Sequence, residues 1–191
     1  DVVYNGINEG FAPLSEPSQQ IIRDKFSQGK PYFLFVGSQS PRKNLNRLIA
    51  AFDLFKEQTQ SDYKLVLVGA VYSSEGDVKR VIDKSKFKND IIFTGRQPQE
   101  ELEKIMASAF ALTFVPYFEG FGIPIVEALQ CEIPVICSRT TSMPEIAGEA
   151  GLLVNPYEVT SISDGMVELF HNSKLRNQLI EKGKTQKDCF S

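Results

Sequence analysis

Two stretches of this 191-residue chain hold residue types that could do chemistry together. The first is Gly37-Ser38-Gln39-Ser40-Pro41-Arg42-Lys43-Asn44, which follows an apolar run and opens into a helical pattern at Leu45. Gly37 lets the backbone turn tightly and lets a ligand approach the main chain. Arg42 and Lys43 precede a helix N-terminus, which already carries about half a positive charge. A phosphate or diphosphate would satisfy both cations and the helix end at once. Two solvated surface charges fit the same residues equally well. The second stretch is Pro116-Tyr117-Phe118-Glu119-Gly120-Phe121-Gly122-Ile123-Pro124-Ile125-Val126-Glu127. Gly120 and Gly122 free the backbone to aim N–H groups at a ligand beside a second helix start. Glu119 projects from the loop, and Glu127 lies about one turn into the helix. Carboxylates accept hydrogen bonds from vicinal hydroxyls, so the pair suits a ribose or a sugar. Singly, each residue has a plainer use: dipole compensation for Glu127, an exposed loop acid for Glu119, turn glycines between them.

Other chemistries find little support. Lys+Arg number 21 against 24 Asp+Glu, a net charge of −3, which argues against a sequence-independent nucleic-acid binder. The cysteines Cys131, Cys137 and Cys189 have no metal-site spacing, and the single His171 cannot complete a zinc cluster. Reduced, buried thiols in a cytoplasmic protein are the expectation. His171, at the end of a helical pattern, reads as a surface residue rather than a catalytic base. There is no GxxxxGK[ST], no GxGxxG after the first strand and no GxSxG, so P-loop, dehydrogenase and α/β-hydrolase readings lose support. No apolar run approaches the ~20 residues of a membrane span. The chain opens at Asp1 without an initiator Met or a signal peptide and reads as a fragment.

The elements that must position these residues alternate in kind. Residues 32–37, 65–69, 91–95, 109–115, 133–137 and 151–154 are short apolar runs, as strands covered on both faces should be. Between them lie helical patterns. The clearest is the stripe Leu45, Leu48, Ile49, Phe52 and Phe55; others fall near 76–85, 98–108 and 124–130. Ser142-Met143-Pro144-Glu145 has capping-box spacing before a short helix, and helices over 159–170 and 175–184 close the chain. The expectation is an α/β fold with a Rossmann-like, doubly wound parallel sheet of about six strands, in which ligands bind outside the carboxyl ends of the strands. Residues 1–30 form a lead-in with a helix over 17–26, and 31–191 form the domain proper.

Glu119 through Glu127 resembles the E-x7-E signature of retaining GT-B glycosyltransferases, especially glycosyltransferase family 4. The likeness extends to Val3-Tyr4-Asn5-Gly6-Ile7, to Pro41-Arg42-Lys43-Asn44-Leu45, to Pro134-Val135-Ile136 and to Pro144-Glu145-Ile146-Ala147-Gly148. It implies the C-terminal, donor-binding half of a GT-B fold. By that resemblance, Arg42 and Lys43 neutralise the diphosphate of a UDP- or GDP-sugar and help the leaving group depart. Glu119 touches the hydroxyls of the transferred hexosyl unit, and Glu127 holds the ribose. Backbone N–H groups at Phe121, Gly122 and Ile123 meet sugar and phosphate, while Arg96 and Gln97 bracket the base. Gly37 and Gly120 belong to the same donor site. Glu119, Arg42 and Lys43 are the candidate catalytic residues. The resemblance implies no cofactor and no metal, retention at the anomeric carbon, and a glycan or lipid-linked acceptor held by an N-terminal domain outside this chain. It leaves peripheral membrane association of a longer protein open. A nucleotide-sugar epimerase, a glycan phosphorylase or a non-catalytic Rossmann-like interaction module are the alternatives. One position departs from the family pattern: Glu132 stands where a glycine is usual, so a positive φ there would strain the backbone and call for a local loop adjustment.

Overall fold

The protein, here a computed structural model, is described over residues 10–70 and 77–190. Residues 3–7 of the motif above, and the start at Gly76 of one expected helix, lie outside the described residues. The described elements run α1 (Glu16–Ser27), β1 (Tyr32–Val36), α2 (Leu45–Thr59), β2 (Lys64–Val68), α3 (Asp77–Lys84), β3 (Ile91–Gly95) and α4 (Gln99–Ala107). They continue with β4 (Ala111–Phe114), α5 (Ile123–Gln130), β5 (Val135–Ser138), α6 (Met143–Ala147), β6 (Gly151–Val154), α7 (Val159–His171) and α8 (Ser173–Gln186). Among the described residues the six strands form one parallel sheet in the order β3-β2-β1-β4-β5-β6.

Central strands buried on both faces need apolar residues, and β1 (YFLFV) and β2 (KLVLV) supply them at every position but Lys64, the first of β2. The stripe on α2 is buried as its spacing requires, and this helix packs against α7. Phe52 and Phe55 are wholly enclosed, so truncating either to Ala would cost about 3–5 kcal/mol. Phe11 and Ile22 of the lead-in join the same core. Strand order reverses between β1 and β4, and a sheet wound both ways opens a crevice at that point. The two chemistry-bearing stretches are the loops that leave those two strands.

Several details differ from the sequence expectation. β4 begins later than residue 109 because the Ala109 amide closes α4 on the Met106 carbonyl. β5 begins later than residue 133 because the Ile133 amide bonds the Ala128 carbonyl and the Glu132 amide bonds that of Leu129. Together these bonds make a Schellman ending to α5. Its left-handed residue is Glu132, φ 57°; the loop keeps the glycine-type backbone instead of adjusting, with Lys187 and Lys184 at 3.5 and 3.6 Å from the Glu132 carboxylate. The expected capping box at Ser142 is not formed: its φ/ψ are already helical, which turns the hydroxyl away from the first turn of α6. α8 starts two residues earlier than expected, capped by the Asn172 side chain on the Leu175 amide, and a 3-10 turn, Lys187–Phe190, follows it. Cys131 and Cys137 are buried, and burial pushes both thiols up to about 12; Cys189, expected to be buried, is exposed. His171 is exposed at the end of α7, as expected. No helix among the described residues is long and apolar enough to cross a membrane.

Candidate functional site

The floor of the crevice is set by a close approach of two backbones. Gly37 and Gly69 leave β1 and β2 side by side, and a Cβ on Gly69 would lie 1.8 Å from the Gly37 carbonyl oxygen. No side chain fits there. Beyond Gly37 the chain forms a 3-10 turn, Pro41–Lys43, and passes through Asn44 in the left-handed region into α2. Asn44 is buried, and its amide donates to the carbonyls of Val115 (3.0 Å) and Pro156 (2.7 Å). The turn is thereby tied to the exits of β4 and β6. The Tyr117 amide, donating to the Arg42 carbonyl at 2.9 Å, joins the two loops directly.

That scaffold brings Arg42, Lys43 and Glu119 together. Arg42 donates to Glu119 Oε2 at 2.8 Å, and the Lys43 ammonium bonds the same oxygen. Lys43 is only 7% exposed, with its Nζ 4.7 Å from the centre of the Phe114 ring, so it is no solvated surface charge; Arg42 remains half exposed. Burial alone would push the Glu119 carboxyl up. The hydrogen bond and charge of Lys43, joined by those of Arg42, outweigh it and hold the carboxyl below its ordinary value. Two cations against one carboxylate leave a positive charge at the switch point, close to the N-terminus of α5.

The loop after Glu119 is shaped by Gly122, which caps α5 with φ 108°; a Cβ there would lie 2.8 Å from Met143 Cε. Pro124 has no N–H, and the amides of Gly122 and Ile123 find no acceptor among the described residues. Gly120 and the Ile123 side chain are exposed, while Phe121 turns its ring to the core. The Ser142 hydroxyl, released from capping, donates toward the carbonyls of Glu119 (2.9 Å) and Phe121 (3.0 Å) and fixes the loop from beneath.

Glu127 is not part of this cluster. It is 8% exposed on α5, forms no ion pair or side-chain hydrogen bond among the described residues, and is pushed up to about 7, first by burial and then by the charge of Glu103 on α4. On the other side of the switch point lies a cleft of about 470 Å³, lined by Gly37, Ser38, Gly69, Arg96, Gln97 and Leu102 among others. Its size suits a small-molecule ligand. Arg96 is exposed there, and Gln97 is oriented by donating to the Thr94 carbonyl at 2.8 Å. No group of three His, Cys, Asp or Glu among the described residues could hold a metal ion.

Residues 18–186 match the model of the family "Glycosyl transferases group 1". The chain belongs to that family. This group 1 glycosyl transferase domain is 32% identical over 160 residues to O-antigen chain mannosyltransferase B of Escherichia coli, covering 84% of the chain and 42% of that relative. It is 25% identical to the solved C-terminal domain of a group 1 glycosyl transferase, LpcC, from Francisella tularensis, with a TM-score of 0.80 and 97% of each chain covered. The Anabaena protein HepE, solved with UDP and glucose, superposes with a TM-score of 0.88 at 20% identity, over all of this chain and 52% of that one, a likeness of fold. The domain thus spans about half or less of the length of such curated relatives.

Two residues that tie these loops together, Asn44 and Ser142, carry no sequence signal for that role. Asn44 was visible only as the end of a motif, although an Asn before a helix often takes the left-handed conformation. Ser142 carried a local signal for a different job. Its real partners lie 21 and 23 residues earlier, beyond the reach of any spacing rule.

Proposed function

We propose that this domain binds a nucleotide-diphospho-sugar and, within a longer protein, transfers its hexosyl unit with retention to a glycan or lipid-linked acceptor. The observation that carries this reading is the buried Lys43, held with Arg42 on Glu119 beside a cleft of ligand size. A buried ammonium needs an anion, and Glu119 supplies one. An arriving diphosphate takes over Lys43 and Arg42, which frees the Glu119 carboxylate to accept hydrogen bonds from sugar hydroxyls. The nucleoside lies in the cleft between Gly37 and Arg96–Gln97, the Gly122 and Ile123 amides face phosphate and sugar, and Glu127 accepts the ribose hydroxyls. As the bond to the sugar breaks, charge gathers on the diphosphate, where Lys43 and Arg42 stand already oriented. With protein cations in that role the transfer needs no metal, and the nucleotide is UDP or GDP. Calorimetric titration of the chain with both diphosphates and their sugar nucleotides tests the reading. Binding should be seen at millimolar ligand and should fall by about tenfold to a hundredfold in Lys43→Ala, the loss of one charged hydrogen bond. An unchanged dissociation constant in that variant would put the phosphates elsewhere.

A further inference from the structure

The loop that faces the proposed sugar is braced by the last described turn of the chain. Phe190, 5% exposed, meets the Phe121 ring edge-to-face at 5.9 Å between centroids and 89° between planes. The turn that carries it, Lys187–Phe190, is itself pinned at two points. Lys187 reaches Glu132 at the end of α5 (3.5 Å). Gln186, the last residue of α8, donates to the Ile146 carbonyl (3.1 Å) and lies so close over Gly148 that a Cβ there would meet it at 2.5 Å. Phe121 is the residue between the two glycines, where the backbone has the least stiffness of its own. Its carbonyl is fixed by Ser142 and its ring by Phe190. The ring pair is thus one of the contacts that hold the residue next to the Gly122 and Ile123 amides.

We propose that Phe190 is a positioning residue for the donor site, holding the glycine-rich loop through Phe121 so that the amides of Gly122 and Ile123 converge on the sugar diphosphate. This rests on the donor reading above, but it concerns a side chain that touches no substrate. Two variants of the 191-residue chain test it: Phe190→Ala, which removes the ring, and Phe190→Leu, which keeps apolar bulk without an aromatic edge. The probes are UDP and GDP, their sugar nucleotides and the matching nucleoside monophosphates, together with amide NMR shifts of residues 120–123 and 96–97. Expected for Phe190→Ala is a loss of about fivefold to tenfold in sugar-nucleotide affinity with monophosphate affinity unchanged, since the cleft at Arg96–Gln97 lies apart from the ring pair. Amide shifts should move at 120–123 and not at 96–97, and Phe190→Leu should fall between Ala and wild type. Unchanged sugar-nucleotide binding in Phe190→Ala, or equal losses for all ligands alongside a lowered unfolding temperature, would overturn the proposal and leave Phe190 an ordinary core residue. If wild type bound no nucleotide at all, the donor reading would fall by itself. The coupling of ring to loop would then be read from backbone 15N relaxation of the ligand-free chain: increased mobility at 120–123 in Phe190→Ala with the rest of the chain unchanged supports it, and unchanged mobility overturns it.

Discussion

Two carboxylates eight positions apart on one loop and helix are driven in opposite directions. Glu119 is held ionised by Lys43 and Arg42, while Glu127, buried without a cation, is pushed up to about 7. The first is built to stay charged; the second changes charge near neutral pH. For Glu127 the folded value lies above the unfolded one, so the native state binds the extra proton between about 4.5 and about 7. Stability should therefore fall as pH rises through that window, by an amount on the order of 3 kcal/mol. Glu127→Gln should remove the fall, leaving the variant more stable than wild type at pH 8 and about equal to it near pH 4 in urea denaturation. If, as proposed, ribose hydroxyls donate to the ionised carboxylate, sugar-nucleotide affinity should move the other way and rise from pH 6 to pH 8. A diphosphate esterified at both ends has no ionisation of its own in that range, which makes the slope a property of the protein. In Glu127→Gln the slope should vanish along with part of the affinity. A wild-type affinity flat across that range would remove Glu127 from the ribose.

At the scale of elements, the strain that glycine would avoid sits at the end of α5. Glu132 keeps a left-handed backbone, which costs an L-residue about 1–2 kcal/mol, and gains only surface-type pairing from Lys184 and Lys187, worth about 0–1 kcal/mol. Glu132→Gly should therefore stabilise the chain by roughly 1 kcal/mol, read as a rise of about 2–4 °C in thermal unfolding. A lowered unfolding temperature would mean that the lysine pairs outweigh the backbone. This position also shows what the sequence makes legible. Strands and long helices follow from runs and stripes of apolar residues, which are local, and they lie within about two residues of expectation. The Schellman ending is visible only by resemblance, through a glycine that is missing. Ser142 misleads because a four-residue spacing cannot report that its φ/ψ are already helical. Lys43 could be read as a surface charge until β1 and β4 were known to be neighbours, because its partner is 76 residues away. What the sequence lacks at each of these places is the long-range partner.

At the scale of the whole molecule, the site belongs to neither half of the sheet. Arg42, Lys43 and the cleft hang from the β1–β3 half, and Glu119, Gly122 and Glu127 from the β4–β6 half. The halves are joined at this edge by the Glu119 pairs and the Tyr117 amide. A sugar nucleotide would span the same line and bind only when both halves are folded. Its binding energy should then add to global stability rather than protect one loop. At a ligand concentration ten times the dissociation constant the gain is about 1.4 kcal/mol, a rise of about 3–6 °C in unfolding temperature for a domain of this size. Hydrogen exchange gives the sharper reading. Slowed exchange should reach the core amides of β2 and of β5 together, because those open only through global unfolding. Lys43→Ala should lose the shift at equal ligand concentration, since it removes the proposed diphosphate contact. Protection confined to one half would mean a nucleoside held in the cleft alone, with the carboxylate half of the site not engaged.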